Sequence, residues 1–402
     1  MIDPLIIRQD FPIFHHHPTL AYLDNAATMQ KPETVIRGVA NFYRRENANI
    51  HRGVYPLAVQ ATEKYEQVRH LVASLIGAPS SQSIVYTAGT TAGINLVVQS
   101  FLEKRLCKGD EVLITAMEHH ANLIPWQMVC KKQGARLVII PMNAKGELDM
   151  QAFKERLSKR TKMVAAVHIS NTLGSINPIE EIVARAHKKG IPVLIDGAQS
   201  AAHYPIDVED IDCDFFVFSG HKVFGPTGIG VLYGKEEHLG DMQPIYFGGD
   251  MIRDVSFEDT IFAEHPQKFE AGTTNIAGII GLGYAMTYLQ QYKKAQIVKY
   301  LDELGAYAEQ ELNSIKGLKL VGRAKRKSPI LSFHFKNIHP HDVATFLGAE
   351  NIAIRAGHHC TQPLMDIFDI PGTSRASFTF YNTFEEVDRM VKVLIDMKKF
   401  LS

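Results

Sequence analysis

An excess of charge of either sign is missing from this chain: Lys plus Arg and Asp plus Glu are each 43 in 402 residues, a formal net charge of zero. That balance excludes the basic footprint of a nucleic-acid binder or of a protein held on anionic membranes. No apolar run approaches the ~20 residues of a membrane helix, and the N-terminal residues lack the charged, apolar and cleavage-site segments of a secretory signal; together these predict a cytosolic, cytoplasmic protein. Cysteine is scarce. Cys107, Cys130, Cys213 and Cys360 lie far apart with no C-x-x-C, which predicts reduced thiols rather than a disulfide framework or a structural zinc site. What remains is ordinary globular material, 46% hydrophobic and 21% charged, long enough for about two domains.

Two apolar runs organise the rest. Ile191-Pro192-Val193-Leu194-Ile195 ends on Asp196-Gly197-Ala198-Gln199-Ser200, and Phe215-Phe216-Val217-Phe218 ends on Ser219-Gly220-His221-Lys222. Both read as buried strands. Ligands of open α/β sheets sit beyond the carboxyl ends of strands, so Asp196 and Lys222 are expected on one rim of one crevice. Pyridoxal phosphate needs such a pair: an amine for its aldehyde and a carboxylate to keep its pyridine nitrogen protonated. Further along the same rim, Gly89-Thr90-Thr91 opens a helix after a strand-like Ser83 to Thr87, directing N–H groups and hydroxyls at one point. With Ser219 and His221 this forms the expected phosphate cup. Gln199 and Asn171 are placed to contact the cofactor's phenolic oxygen, Asn171 alternatively the substrate carboxylate. Gly225-Pro-Thr-Gly228-Ile-Gly230 precedes a strand, not a helix, and reads as a turn without a dinucleotide role.

A second chemical centre follows. Arg355-Ala-Gly-His-His-Cys360 ends a strand-like segment, and a cysteine beside histidines and arginines gains thiolate character. Arg375 offers a guanidinium fork for a carboxylate. Adjacent His119 and His120 read as a metal pair only weakly, since neighbouring side chains diverge; His15-His16-His17 before Pro18 reads as a solvated loop. No metal site is predicted. The Gly-rich residues 247–272 are long for an irregular segment and predict a lid or an interface.

Asp196-x-x-Gln199 with Ser219-Gly-His-Lys222, Met117-Glu-His-His-Ala-Asn122 upstream and Arg355-Ala-Gly-His-His-Cys360 downstream resemble the group II cysteine desulfurases of the Suf iron–sulfur assembly system, from about Tyr22 to about Phe400. The resemblance implies the type I fold of pyridoxal-phosphate-dependent transferases: an α/β large domain (20–290) with a mixed, mostly parallel sheet flanked by helices, and a smaller α+β domain (1–19 and 291–402) carrying the cysteine loop. It implies that His119 stacks on the cofactor ring, that His51, Arg52 and Arg355 lie near the substrate, and that Thr273 reaches the phosphate of a neighbouring subunit in a homodimer. The implied reaction converts L-cysteine to L-alanine, with a persulfide left on Cys360 for iron–sulfur cluster assembly. The sulfur acceptor is expected to be a zinc-bound, scaffold-like sulfur transferase met by His341, although His339-Pro-His-Asp342 also suits an ordinary capped helix start. One departure stands out: Thr361 follows the cysteine where many relatives have Ala. Selenocysteine lyase chemistry, another lyase or aminotransferase on the same fold, and a non-catalytic sulfur relay are the competing readings; the last predicts no cofactor colour.

Overall fold

The computed structural model describes residues 2–401. Seven strands form the large sheet, in the spatial order Ile84–Thr87, Gly230–Gly234, Phe215–Ser219, Val193–Asp196, Thr161–Val167, Glu111–Thr115 and Arg136–Ile140. All neighbours pair in parallel except Gly230–Gly234, which runs antiparallel to both of its partners. Helices cover both faces, so the central strands have no solvent side. Val193–Asp196 and Phe215–Ser219 are buried at every residue, which is why they read as unbroken apolar runs. The strands of the parallel set deliver Thr115, Val167, Asp196 and Ser219 to one rim.

A four-stranded antiparallel sheet, Leu318–Val321, Ile330–Phe335, Thr373–Ser377 and Arg355–Gly357 in that spatial order, carries the second centre. Its register sets Arg355 directly opposite Arg375. The N-terminal chain ties this sheet to the large one: Ala21–Tyr22 pairs with Ile352–Ala353, and Asp24 bridges to Ser377. Arg8 lies 2.6 Å from Glu386, and Phe11 packs among Phe224, Tyr288 and Tyr381. One local expectation differs from the structure: residues 247–272 are not irregular throughout but contain a hairpin, Ile252–Val255 with Thr260–Phe262. Helices then run over Ile276–Gln290 and Lys294–Ser314. Among the described residues no helix is long and apolar enough to cross a membrane.

Burial sets the acid response of this fold. His203 is buried with Nε2 2.6 Å from Thr379 Oγ1, and removal from water pushes its pKa down to about 3; the same cause takes His168 down to about 4. A depressed pKa means that the unfolded chain binds the proton first. The stability these histidines contribute is therefore complete above pH ~6.5 and is lost as the pH falls toward their folded values. For His203 alone the loss between pH 6.5 and 5 is about 2 kcal/mol. His203→Gln, which keeps a partner for Thr379, is expected to flatten the pH dependence of the urea midpoint between pH 7 and 5; an unchanged slope would contradict it.

Candidate active site

Where the two sheets meet, the strand ends enclose a cavity of about 230 Å³. Asp196 closes its inner end, with Oδ1 accepting from the Ala198 N–H at 2.9 Å. Lys222 lines the wall at the end of the Gly220–Lys222 turn. The two are close enough to influence each other's titration: removal from water lowers the Lys222 amine below its usual value, and Asp196 opposes that shift. Asp196 is raised by the same desolvation, while the Ala198 N–H and Lys222 pull it back.

The expected phosphate cup is built by close backbone approach. Ser219 Oγ accepts from the Thr90 N–H at 2.9 Å and lies 2.7 Å from Thr90 Oγ1. Gly89 has φ +143°, outside the range of residues with a Cβ. A Cβ on Gly230 would lie 2.4 Å from Gly89 Cα, which fixes the role of the Gly225–Gly230 turn: it lets the reversed strand press against the cup. Thr91 and His221 also line the cavity. His119 stands on its wall with Nδ1 accepting from the Ala121 N–H at 3.0 Å, which assigns its proton to Nε2. Burial first, and Lys222 second, push its pKa down to about 3, so the ring is neutral at working pH. Gln199 gives one N–H to Ala26 O at 2.8 Å and keeps the other for a ligand.

Opposite lies the Cys360 loop. The exposed Cys360 shares the cavity with Lys222, Arg355 and Arg375. Arg375 is buried, donating to Asn171 O at 2.9 Å and to Asp24 Oδ1 at 3.0 Å, while its Nε has no protein partner. Asn171 gives its Nδ2 to His359 O, leaving Oδ1 unpartnered. The residues that bear these orphaned atoms line one cavity with the Asp196 carboxylate, the Lys222 amine and the expected phosphate cup, and this donor set fits pyridoxal phosphate together with an amino-acid carboxylate.

Three expected site residues lie outside this cavity. His51 and Arg52 are exposed, His51 pairing with Glu66 at 3.2 Å and Arg52 with Asp250 at 3.3 Å, and Thr273 is exposed on its turn. Tyr65 links the first and last of these segments: its ring meets His51 and its hydroxyl meets Thr274, the residue after Thr273. Sequence reasoning missed Asp24, which holds both Arg375 and Arg355, and Glu118, buried beneath His119 on three donors from Thr115, Asn122 and Val167. The acid in Tyr22-Leu23-Asp24-Asn25 was visible, but nothing local ties it to arginines more than 300 positions away.

Residues 21–390 match the family described as aminotransferase class-V. The chain is 47% identical over 397 residues to a probable cysteine desulfurase of Halalkalibacterium halodurans, covering 98% of each chain. It is 49% identical over 403 residues to a probable cysteine desulfurase of Synechocystis, covering 98% of this chain and 96% of that one. Among solved structures it resembles the cysteine desulfurase CsdA (S-sulfonic acid) from Escherichia coli, with a TM-score of 0.93 and 40% identity over 100% of this chain and 99% of that one.

Proposed function

The chain belongs to the class-V aminotransferase family, and within it we propose that this protein is a pyridoxal-phosphate-dependent cysteine desulfurase. The observation that carries the reading is the placement of Cys360 in the same cavity as Lys222 and Asp196, because an aminotransferase or a β-elimination lyase on this fold has no need of a thiol there. Thr90, Ser219 and His221 would hold the phosphate, Asp196 the ring nitrogen and Lys222 the aldehyde, with His119 against the ring. When bound, the cofactor supplies an aldehyde that captures the substrate amine and a ring that accepts the electron pair of the adjoining carbon.

The protein's own groups do the rest. Arg375 binds the substrate carboxylate through its unpartnered Nε edge, oriented by Asp24, with Arg355 beside it. Lys222, its amine lowered below the usual value by removal from water, accepts the proton from the α-carbon. Cys360 attacks the substrate sulfur as a thiolate. The S–S bond forms as the C–S bond breaks, the carbon side keeps the electron pair and takes up a proton to leave as alanine, and Cys360 is left as a persulfide. Wild-type protein is expected to release one alanine per sulfide from L-cysteine in the presence of a thiol reductant. Pyruvate and ammonia accompanying the sulfide in place of alanine would replace this reading with a lyase, a 2-oxo acid that keeps its sulfur would replace it with an aminotransferase, and faster selenium release from L-selenocysteine than sulfur release from L-cysteine would make selenocysteine the preferred substrate.

Partners follow the surface. The hairpin and its approach expose Tyr246, Phe247, Val255, Phe257 and Ile261, with Phe257 fully exposed, an apolar patch suited to a second copy. The turn bearing Thr273 is preset by Glu270, which accepts from Tyr65, Arg69 and the Tyr86 N–H; this supports a homodimer in which Thr273 serves the neighbour's phosphate. For the acceptor, His341 is exposed in the first turn of the helix Pro340–Ala349, which His339 caps. Its Nε2 lies 3.9 Å from where a Cβ on Gly357 would sit, beside the nucleophile loop. A zinc-bound sulfur acceptor of the Suf system, in the cytoplasm, fits that imidazole. His341→Ala is expected to keep the reductant-driven rate and lose most of the stimulation by a zinc-loaded acceptor; equal stimulation would remove His341 from the reading. The division into 20–290 and 1–19 with 291–402 is proposed as the domain boundary.

A further inference from the structure

The Cys360 turn is held at three consecutive carbonyls by three different groups. His358 O accepts from Thr361 Oγ1 at 2.8 Å, His359 O from Asn171 Nδ2 at 2.8 Å, and Cys360 O from the His120 N–H at 2.7 Å. Two of these holders are themselves braced. Thr361 Oγ1 lies 2.8 Å from Thr172 Oγ1, and the Thr172 carbonyl is held by Ser332 Oγ at 2.6 Å. The His120 ring Nε2 accepts from the Gln362 N–H at 3.2 Å, so this one residue grips the backbone on both sides of Thr361. The turn needs such holding: His359 at φ +53° and Cys360 at φ +57° are both left-handed, a conformation that residues with a Cβ keep only when their surroundings specify it. Thr361 is completely buried while the Cys360 side chain is exposed. The peptide is fixed and the thiol is left to face the cavity.

We infer that Thr361 and His120 are positioning residues for the sulfur-accepting step, a clamp that sets the distance and direction from which the Cys360 thiolate meets the substrate sulfur. The inference rests on Cys360 being the nucleophile. Attack on sulfur requires the incoming thiolate close to the line of the breaking C–S bond, and a loop ordered before the substrate arrives does not repeat that search in every turnover. Thr361 serves this because one hydroxyl works twice: it donates to His358 O and therefore accepts from the Thr172 hydroxyl. Alanine at this position can do neither. His120 couples the clamp to the cofactor face, since it directly follows the ring-stacking His119 and shares its turn.

Thr361→Val keeps the shape and removes both bonds; Thr361→Ser keeps the hydroxyl. In the holoenzyme, Thr361→Val is expected to slow single-turnover alanine formation by about tenfold, leave KM for L-cysteine and the cofactor spectrum unchanged, and raise the rate at which iodoacetamide modifies Cys360. Thr361→Ser should restore all three. His120→Phe tests the other jaw with the same readouts, His120→Gln being the rescue, and carries the test if the valine variant does not fold. Wild-type alanine formation together with wild-type alkylation in Thr361→Val and His120→Phe would overturn the clamp. A Cys360→Ala control separates the two ideas: if it is inactive while the clamp variants are normal, the clamp alone is wrong, whereas an active control removes the nucleophile and with it the clamp's purpose.

Discussion

Cys360→Ala is expected to abolish sulfide release, by at least about a thousandfold, while the protein still folds, still takes up its cofactor and still binds L-cysteine. The separation of effects follows from position. Cys360 lies on the small antiparallel sheet's side of the cavity, exposed and with its backbone held independently of its side chain. The groups assigned to the cofactor, Thr90, Ser219, Asp196 and Lys222, all sit at strand ends of the large sheet. Removing one exposed thiol leaves no buried cavity and no unpaired polar atom, so the cost in stability is small. Cys360→Ser should be equally inactive, because a hydroxyl of similar size lacks the ionisation and softness needed to attack sulfur. Cys107, Cys130 and Cys213 provide the contrast: none lines the cavity, and their replacement by alanine should leave sulfide release within about twofold. Sulfide release by Cys360→Ala at more than a tenth of the wild-type rate would reject the assignment.

How much of this was readable beforehand depends on whether the determining contacts are local. The meeting of Asp196 and Lys222 in one cavity was legible because one ends and the other closely follows a strand buried on both faces, and the sheet itself then brings the ends together. The meeting of Thr90 with Ser219 was legible for the same reason, since Gly89-Thr90-Thr91 follows a strand and opens a helix. The hairpin inside 247–272 was not: Ile252–Val255 and Thr260–Phe262 have no buried residue, so neither strand shows the alternation that one dry face imposes. The Asp24–Arg375 pair and the Thr172–Thr361 hydroxyl pair join residues 351 and 189 positions apart. Nothing within either segment selects its partner. Thr361 was visible only as a departure from an expected alanine, and its meaning appears once Thr172 and His358 are seen beside it.

Lys222→Ala is expected to remove alanine formation altogether, a loss of about 10⁴-fold or more, because one amine both holds the aldehyde and moves the α-proton. The absorbance that a lysine-held aldehyde gives should disappear with it, while iodoacetamide should still modify Cys360 as in the wild type, since the thiol's loop is held by Thr361, Asn171 and His120 and not by Lys222. Lys222→Arg tests charge against proton transfer. It preserves a cation beside Asp196, but a guanidinium stays protonated and cannot accept the α-proton, so it should be as inactive as the alanine variant. In Lys222→Ala the truncated side chain leaves room beside Asp196, and a small primary amine such as methylamine should restore a fraction of turnover that rises with amine concentration and with pH, as the free base becomes more abundant. In the native residue removal from water shifts the amine in the same sense, lowering it below the usual value and so favouring the free base. Lys222→Arg turning over within tenfold of wild type would contradict the proton-transfer role, even if Cys360→Ala proved inactive.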